Sequence, residues 1–380
     1  MATKTGIWKL QEVRDQILAS DWVTYDASGD PPPPGTLWAW GDNFFGRLGD
    51  GTTIHKSSPV QIPGTSWQQA HAGGFSLARK SDNTLWAWGL NNTGALGDGT
   101  AISKSSPVQI PGTSWCFVGG TYYSSLGIKT DGTLWSWGYN IRGQVGDGTT
   151  ICRSSPIQIP GTSWSAITGA QETTFARKTD GTLWAWGCNN SGNIGDFTQI
   201  NRSSPVQIPG TSWNDIAAGQ GHTLARKTDG TLWAWGFGNH GSIGDNSVNL
   251  LRCSPVQIPG TSWNDIAAGG SVSLARKTDG TLWSWGYNTG GSLGDGTTIS
   301  KSSPIQIPGT SWNDVSVSRA TFESSRARKT DGTLWAWGCN LNGSLGDGTT
   351  IPRSSPVQIP GTSWIDINVG YLFSLARKSV

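Results

Sequence analysis

The chain is 380 residues long, with 54 glycines, 23 tryptophans and only 14% charged residues. So aromatic and turn-rich a composition excludes a disordered chain and describes a β protein with a large packed core. A formal net charge of +2 gives no electrostatic case for a nucleic-acid or anionic-membrane partner, which would need a concentrated basic face.

Residues 1–34 form an N-terminal arm outside the pattern that fills the rest of the chain. The opening MATKTGIWKL lacks the apolar stretch and small-residue cleavage site of a signal peptide. No run approaches the roughly 18 apolar residues of a membrane span, so synthesis in a cytoplasm without membrane insertion is expected. Residues 6–18 have the spacing of a short helix, with Leu10, Val13 and Ile17 on one side. Pro31 to Pro34 make a stiff spacer. Two readings of the arm stand: it folds back on the following domain, or it anchors the protein elsewhere through Trp8, Leu10, Val13, Ile17 and Trp22.

From residue 35 onward the sequence repeats. The motif G-T-L-W-[AS]-W-G begins at Gly35, Gly132, Gly181, Gly230, Gly280 and Gly332, and at Asn83 with Asn in place of the first Gly. Each copy continues into G-x-[LVI]-G-D and then S-P-[VI]-Q-I-P-G-T-S-W, so three tryptophans in each of seven copies account for 21 of the 23. Within one period four extended runs are expected, at 215–218, 223–226, 231–235 and 255–258. Thr228-Asp229-Gly230 joins the second to the third, and Asp-Gly between extended runs signals a hairpin because Gly accepts the positive φ of the turn.

Four-stranded antiparallel units of this length predict an all-β fold, a seven-bladed β-propeller over residues 35–380. Alternation along a strand puts Trp38 and Trp40 on one face and Leu37 and Ala39 on the other, so bulky indoles of one blade would interdigitate with small residues of its neighbour. The chain enters the repeat in mid-blade, and its last extended run is Leu375-Ala376-Arg377-Lys378, the run that elsewhere precedes the G-T-L-W motif. The N- and C-terminal strands are therefore expected to pair and close the ring.

The order S-L-A-R-K-T-D-G-T-L-W-A-W-G-x-N-x-x-G-x-[LI]-G-D, S-P-V-Q-I-P, I-A-A-G resembles the regulator-of-chromosome-condensation repeat. The near identity of the copies is similar to bacterial or viral members built by duplication. The resemblance implies the propeller but not a function, since the family includes a nucleotide-exchange factor, an enzyme inhibitor and many proteins of other roles. G-[IV]-W-x-L-x-x-V in the arm resembles N-terminal segments of tailed-phage virion proteins.

Residue types that carry chemistry are sparse. Cys116, Cys152, Cys188, Cys253 and Cys339 have no C-x-x-C spacing and read as thiols, with no disulfide framework and no zinc. His55, His71, His222 and His240 include no pair at metal-ligand spacing and read as surface or loop residues. The loop aspartates (Asp50, Asp98, Asp147, Asp196, Asp245, Asp295, Asp347) read as turn formers. No cofactor, metal or catalytic motif is expected, and the protein reads as a non-enzyme. Basic residues before the hairpin and before each Ser-Pro are expected to form solvated structural rings.

A site for one asymmetric partner must break the repeat. It breaks in the stretch after W-G (42–45, 90–93, 139–142, 188–191, 237–240, 287–290 and 339–342) and in the connection before each S-L-A-R-K. Binding candidates there are Phe44, Phe45, Phe75, Tyr122, Tyr123, Arg142, His222, His240, Arg319, Tyr371 and Phe373. Together these point to a phage virion protein, a tail or fibre adhesin or a capsid decoration. It would bind other virion proteins through residues 1–30 and a host-surface glycan or protein through the propeller. The alternative is a bacterial propeller that binds or inhibits a protein partner.

Overall fold

The computed structural model describes residues 35–170, 172–318, 323–369 and 373–378. They form seven antiparallel four-stranded sheets, the blades of a closed propeller. Blade 1 is made from both ends of the chain, in the order Lys56–Gln61, Thr36–Gly41, Phe373–Lys378, Trp364–Val369. Its closing register pairs Thr36 with Lys378 and Gly41 with Phe373, as the break in the repeat predicts. Blades 2 to 7 follow in chain order from Trp67, Trp115, Trp164, Trp213, Trp263 and Trp312.

The strands of blade 5 are Trp213–Ala218, His222–Lys227, Leu232–Phe237 and Leu251–Ile258. All four expected runs are present. The last starts four residues earlier than 255, because past an irregularity between Ala234 and Gly236 the ladder continues with Gly236 opposite Arg252 and Phe237 opposite Leu251. First strands of neighbouring blades touch one another around the whole ring and are therefore innermost; the fourth strands are outermost.

Each junction between blades repeats one packing solution. Leu37 and Ala39 of blade 1 cluster with Trp67 and Trp88 of blade 2, while Trp40 of blade 1 sits among Leu334, Ala336 and Ile359 of blade 7. This is the expected interdigitation, and a fully buried indole contributes on the order of 2–3 kcal/mol. The buried indole N–H has to be satisfied. Trp186 Nε1 donates to the carbonyl of Gln144 in the preceding blade at 2.9 Å, and the same carbonyl accepts from Thr174 Oγ1 at 2.9 Å. The corresponding indole bond recurs at the closing junction, from Trp40 to the carbonyl of Ser344 at 3.1 Å.

The basic residues before the hairpins are not the solvated ring that the sequence suggests. Lys80 Nζ stands 4.9 Å from the ring centroid of Trp67 and 4.3 Å from that of Trp86; Lys227 does the same for Trp213 and Trp233. Such cation–π contacts at partly exposed sites contribute about 0.5–1 kcal/mol each. The adjacent arginines are buried deeper. Arg377 binds Asp366 Oδ2 through Nε at 2.8 Å and Nη2 at 2.5 Å, and its Nη1 donates to the carbonyl of Trp67 in the next blade at 3.2 Å. Charge is drawn inward here because the guanidinium meets a carboxylate and an inter-blade carbonyl together.

Candidate functional site

Within a blade the strands run antiparallel, so the connections from strand 1 to 2 and from strand 3 to 4 lie at one end, here called the upper face. The hairpin from strand 2 to 3 and the P-G-T-S-W turn into the next blade lie at the other. Both stretches in which the repeat breaks fall on the upper face. The lower face carries near-identical turns, such as Asp229, whose Oδ1 accepts from the Thr231 N–H at 2.9 Å.

The upper loops have a common chassis. Asn140 Nδ2 donates to Asp147 Oδ1 at 3.2 Å, to the Thr149 carbonyl at 3.1 Å and to the Ile151 carbonyl at 3.0 Å, while its Oδ1 accepts from the Val145 N–H at 2.9 Å. Asp147 Oδ1 also takes the N–H and hydroxyl of Thr149, and its Oδ2 takes Arg153. The loop aspartates are turn formers, as expected. Desolvation pulls the Asp147 carboxyl upward, but hydrogen bonds from Thr149 and Arg153 outweigh it and hold the group below its ordinary value. Asn43, Asn91, Asn189, Asn288 and Asn340 repeat the role. In sequence these asparagines stand among variable neighbours. Their recurrence in six of the seven copies was the signal that marked them as scaffold.

On this chassis the candidates separate. Phe44 is 66% exposed and packs edge-on against Phe45 at 4.8 Å between ring centroids. Arg47 lies 5.2 Å from the Phe45 ring and is fixed by Asp42 Oδ2 at 2.5 Å and by the Gly74 carbonyl at 2.9 Å. In blade 3, Tyr122 meets Tyr123 at 4.3 Å and Tyr123 meets Tyr139 at 5.6 Å, beside an exposed Arg142. Burial first, and the Glu172 carboxylate of blade 4 second, push the Tyr139 phenol above its ordinary value. His240 is exposed and its ring packs at a tilt against Tyr287, 4.6 Å between centroids, across the junction of blades 5 and 6.

Three candidates do not belong to an exposed face. Phe75, His222 and Phe373 are buried because each is the first residue of a second strand and fills the junction with the next blade. Phe75 clusters with Trp115 and Trp137, and Phe373 with Trp67. His71 is likewise buried, so two of the four histidines are interior rather than surface groups. Arg319, Tyr371, Trp8, Leu10, Val13, Ile17 and Trp22 lie outside the described residues. No disulfide joins the five cysteines, and among the described residues no cluster of three or more His, Cys, Asp or Glu side chains is placed to hold a metal.

His222 supplies a stability prediction. Its Nε2 lies 2.9 Å from Ser273 Oγ, and burial pushes its pKa down from 6.5 to about 4. The stability this contributes is present above pH 6.5 and is lost as pH falls through the folded value, by up to about 1.4 kcal/mol per pH unit. In His222→Val, which copies Val272 of blade 6, denaturant unfolding should lose that part of its acid dependence. An unchanged acid limb would count against the assignment.

Two sequence models of this repeat match the chain. The first matches at 34–78, 82–118, 131–176, 180–226, 229–276, 279–320 and 331–377, the second at 213–242 and 263–292; both are described as the regulator of chromosome condensation (RCC1) repeat. The chain belongs to the RCC1-repeat family. No curated protein matches this RCC1-repeat chain in sequence. Among solved structures, Prp20p of Saccharomyces cerevisiae is similar at 20% identity and a TM-score of 0.84, over 98% of this chain and 95% of that one. The same yeast protein bound to Kap60 gives a TM-score of 0.83 at 20% identity, over 100% and 95%. Human WBSCR16 gives 0.81 at 20% identity, over 91% and 99%. At such identity these likenesses establish the fold.

Proposed function

We propose that this RCC1-repeat chain is a non-enzymatic recognition propeller carried on a phage virion, as a tail or fibre adhesin or a capsid decoration. Residues 1–30 attach it to other virion proteins, and the upper face meets a host-surface glycan or protein. The polarity of the propeller carries the reading. Gly35 bridges to Trp67, the first residue of an inner strand that runs toward the upper face. The chain therefore enters the ring at the lower end, opposite the loops where the repeat breaks. An anchor at one end and repeat-breaking aromatics at the other suit a protein that presents a face outward. Phe44, Phe45, Tyr122, Tyr123, Arg142 and His240 are the groups assigned to contact, with aromatic and Arg character typical of recognition surfaces.

The test uses particles and cells. Deleting residues 1–30 should abolish association with virions while the propeller still folds. Phe44→Ala with Tyr122→Ala should lower adsorption to host cells at least about tenfold, the size of one or two lost contact residues, with an unchanged unfolding midpoint. Association of the truncated chain with particles would refute the anchor. A second reading, a bacterial propeller that binds or inhibits a protein partner, draws on the same aromatic face, and a yeast member of the fold is described with binding to Gsp1p and histones. It becomes the better account if neither form associates with particles and the two substitutions still abolish capture of a soluble protein.

A further inference from the structure

The upper rim carries a second feature, which repeats where the recognition groups vary. Two residues before the basic residue at the start of each outermost strand, which is its first residue except in blade 5 where Leu251 precedes Arg252, stands an exposed apolar side chain: Ile54, Ile102, Ile151, Ile200, Leu250, Ile299 and Ile351, between 46% and 66% exposed. Blade 5 shows that the pairing is held apart from the loop around it. There the basic residue is seven positions after the loop aspartate, against six in blade 3, yet an apolar residue still stands two before it. The residue between the two is His55, Ser103, Cys152, Asn201, Leu251, Ser300 or Pro352. Copies that have drifted through six residue types at one position have kept an apolar side chain and a cation on either side of it.

Packing does not account for the apolar member, since about half or more of each one faces solvent. Its backbone bonds, such as the Ile151 N–H donating to Thr149 Oγ1 at 3.3 Å and the Ile151 carbonyl accepting from Asn140 Nδ2 at 3.0 Å, are open to any residue with a backbone N–H and carbonyl. The charge on this rim is also one-sided. The basic side chains are 31–37% exposed, while their aspartate partners are only 3–11% exposed. In each of these ion pairs the cation is therefore the solvent-facing member and the carboxylate lies beneath it. A second copy placed face to face would bring cation against cation at the same radius. Isolated apolar tips beside half-buried cations that outreach their carboxylates, repeated around a circle, instead fit a surface that is laterally uniform, anionic at its boundary and apolar beneath.

We propose that the rim is a contact ring for an anionic phospholipid bilayer, in which the isoleucines enter the headgroup boundary and the lysines and arginines meet lipid phosphates. The proposal shares with the proposed function only the assignment of the upper face as the outward one. It places the propeller flat on the membrane with the aromatic patches enclosed by the ring. Net charge does not register which member of an ion pair faces outward, and on this rim it is the cation in all seven pairs.

Flotation of the full chain with phosphatidylglycerol–phosphatidylcholine vesicles tests the ring, with pure phosphatidylcholine vesicles in parallel. Binding is expected to the anionic vesicles, weaker to the neutral ones, and reduced by added salt. Replacing all seven apolar residues by Ser should weaken it at least about tenfold. Replacing only Ile54, Ile151 and Ile299 should give an intermediate loss, which keeps the test decisive if the full set unfolds the chain. No flotation of the wild type with either vesicle, or equal flotation of the Ser variants, overturns the proposal. Concentration-dependent dimers that the Ser variants abolish would also overturn it, in favour of a second copy on the ring. Virions and the aromatic variants play no part in this measurement, so its failure would leave the proposed function standing.

Discussion

Gly146→Ala is expected to destabilise the propeller by about 3–5 kcal/mol, whereas Gly148→Ala, two residues on in the same loop, should cost about 1–2 kcal/mol. Both glycines have left-handed backbone, with φ of 84° and 82°, so both substitutions carry the strain of an L-residue there. They differ in what a methyl group would meet. At Gly146 it would lie 2.5 Å from Trp186 Nε1 and 2.9 Å from Trp186 Cδ1, whereas at Gly148 the nearest atom is Ser204 Oγ at 3.7 Å. The indole of Trp186 is fully buried and held by the Gln144 carbonyl, so it cannot retreat without opening the junction between blades 3 and 4. Overpacking of that kind costs about 1–3 kcal/mol, and the strained indole bond adds about 1 kcal/mol. Denaturant midpoints of the two variants measure the difference directly. Equal losses would show that the conformational strain, rather than the close approach, is what the glycine relieves.

The same contrast explains why the fold was legible in the sequence and the site only partly so. Seven copies of one period-2 pattern state the strands, the hairpin and the closure, because a blade cannot bury its two faces except against its own repeats. Burial at strand ends is a one-residue matter that spacing does not resolve. Phe75 and Phe373 stand next to variable loops in sequence, but their position at the start of the second strand turns them into the junction. The buried charges are marked by their partners across the ladders. Asp215, Asp265, Asp314 and Asp366 stand opposite Arg226, Arg276, Arg328 and Arg377 in the ladders, and where blade 3 has Ile128 in place of Arg, the opposing residue is Phe117. Blades 2 and 4 keep the arginine opposite Gln69 and Ala166, so the ladder position marks an inward-facing arginine, met by a carboxylate in four blades, rather than a solvated ring. The contact ring of isoleucines was hidden for the opposite reason, since repetition alone looks like scaffold until exposure is known.

Glu323→Gln should stabilise the protein at pH 8 and above by on the order of a few kcal/mol and leave it little changed near pH 4.5. Glu323 immediately precedes the second strand of blade 7, Ser324–Lys329, and is almost fully buried. One carboxylate oxygen accepts the Ser271 N–H of blade 6, and the other is without a hydrogen-bond partner among the described residues. Burial raises its pKa from 4.5 to about 8, against the pull of the Ser271 and Val272 N–H groups. A carboxyl whose folded value is raised contributes stability that is fully present below pH 4.5 and is lost as pH rises through about 8, because the folded state must then bury an anion or expel it. Glutamine keeps the shape and the acceptor for Ser271 and removes the ionisation. Asp314, raised to about 7 by burial against the pull of Arg328, acts in the same direction, so the variant is compared with wild type at each pH rather than read alone. Unfolding midpoints at pH 5 and pH 9 decide the matter: a gap that opens only on the alkaline side identifies Glu323 as the titrating group, and a gap of equal size at both would assign the effect to packing.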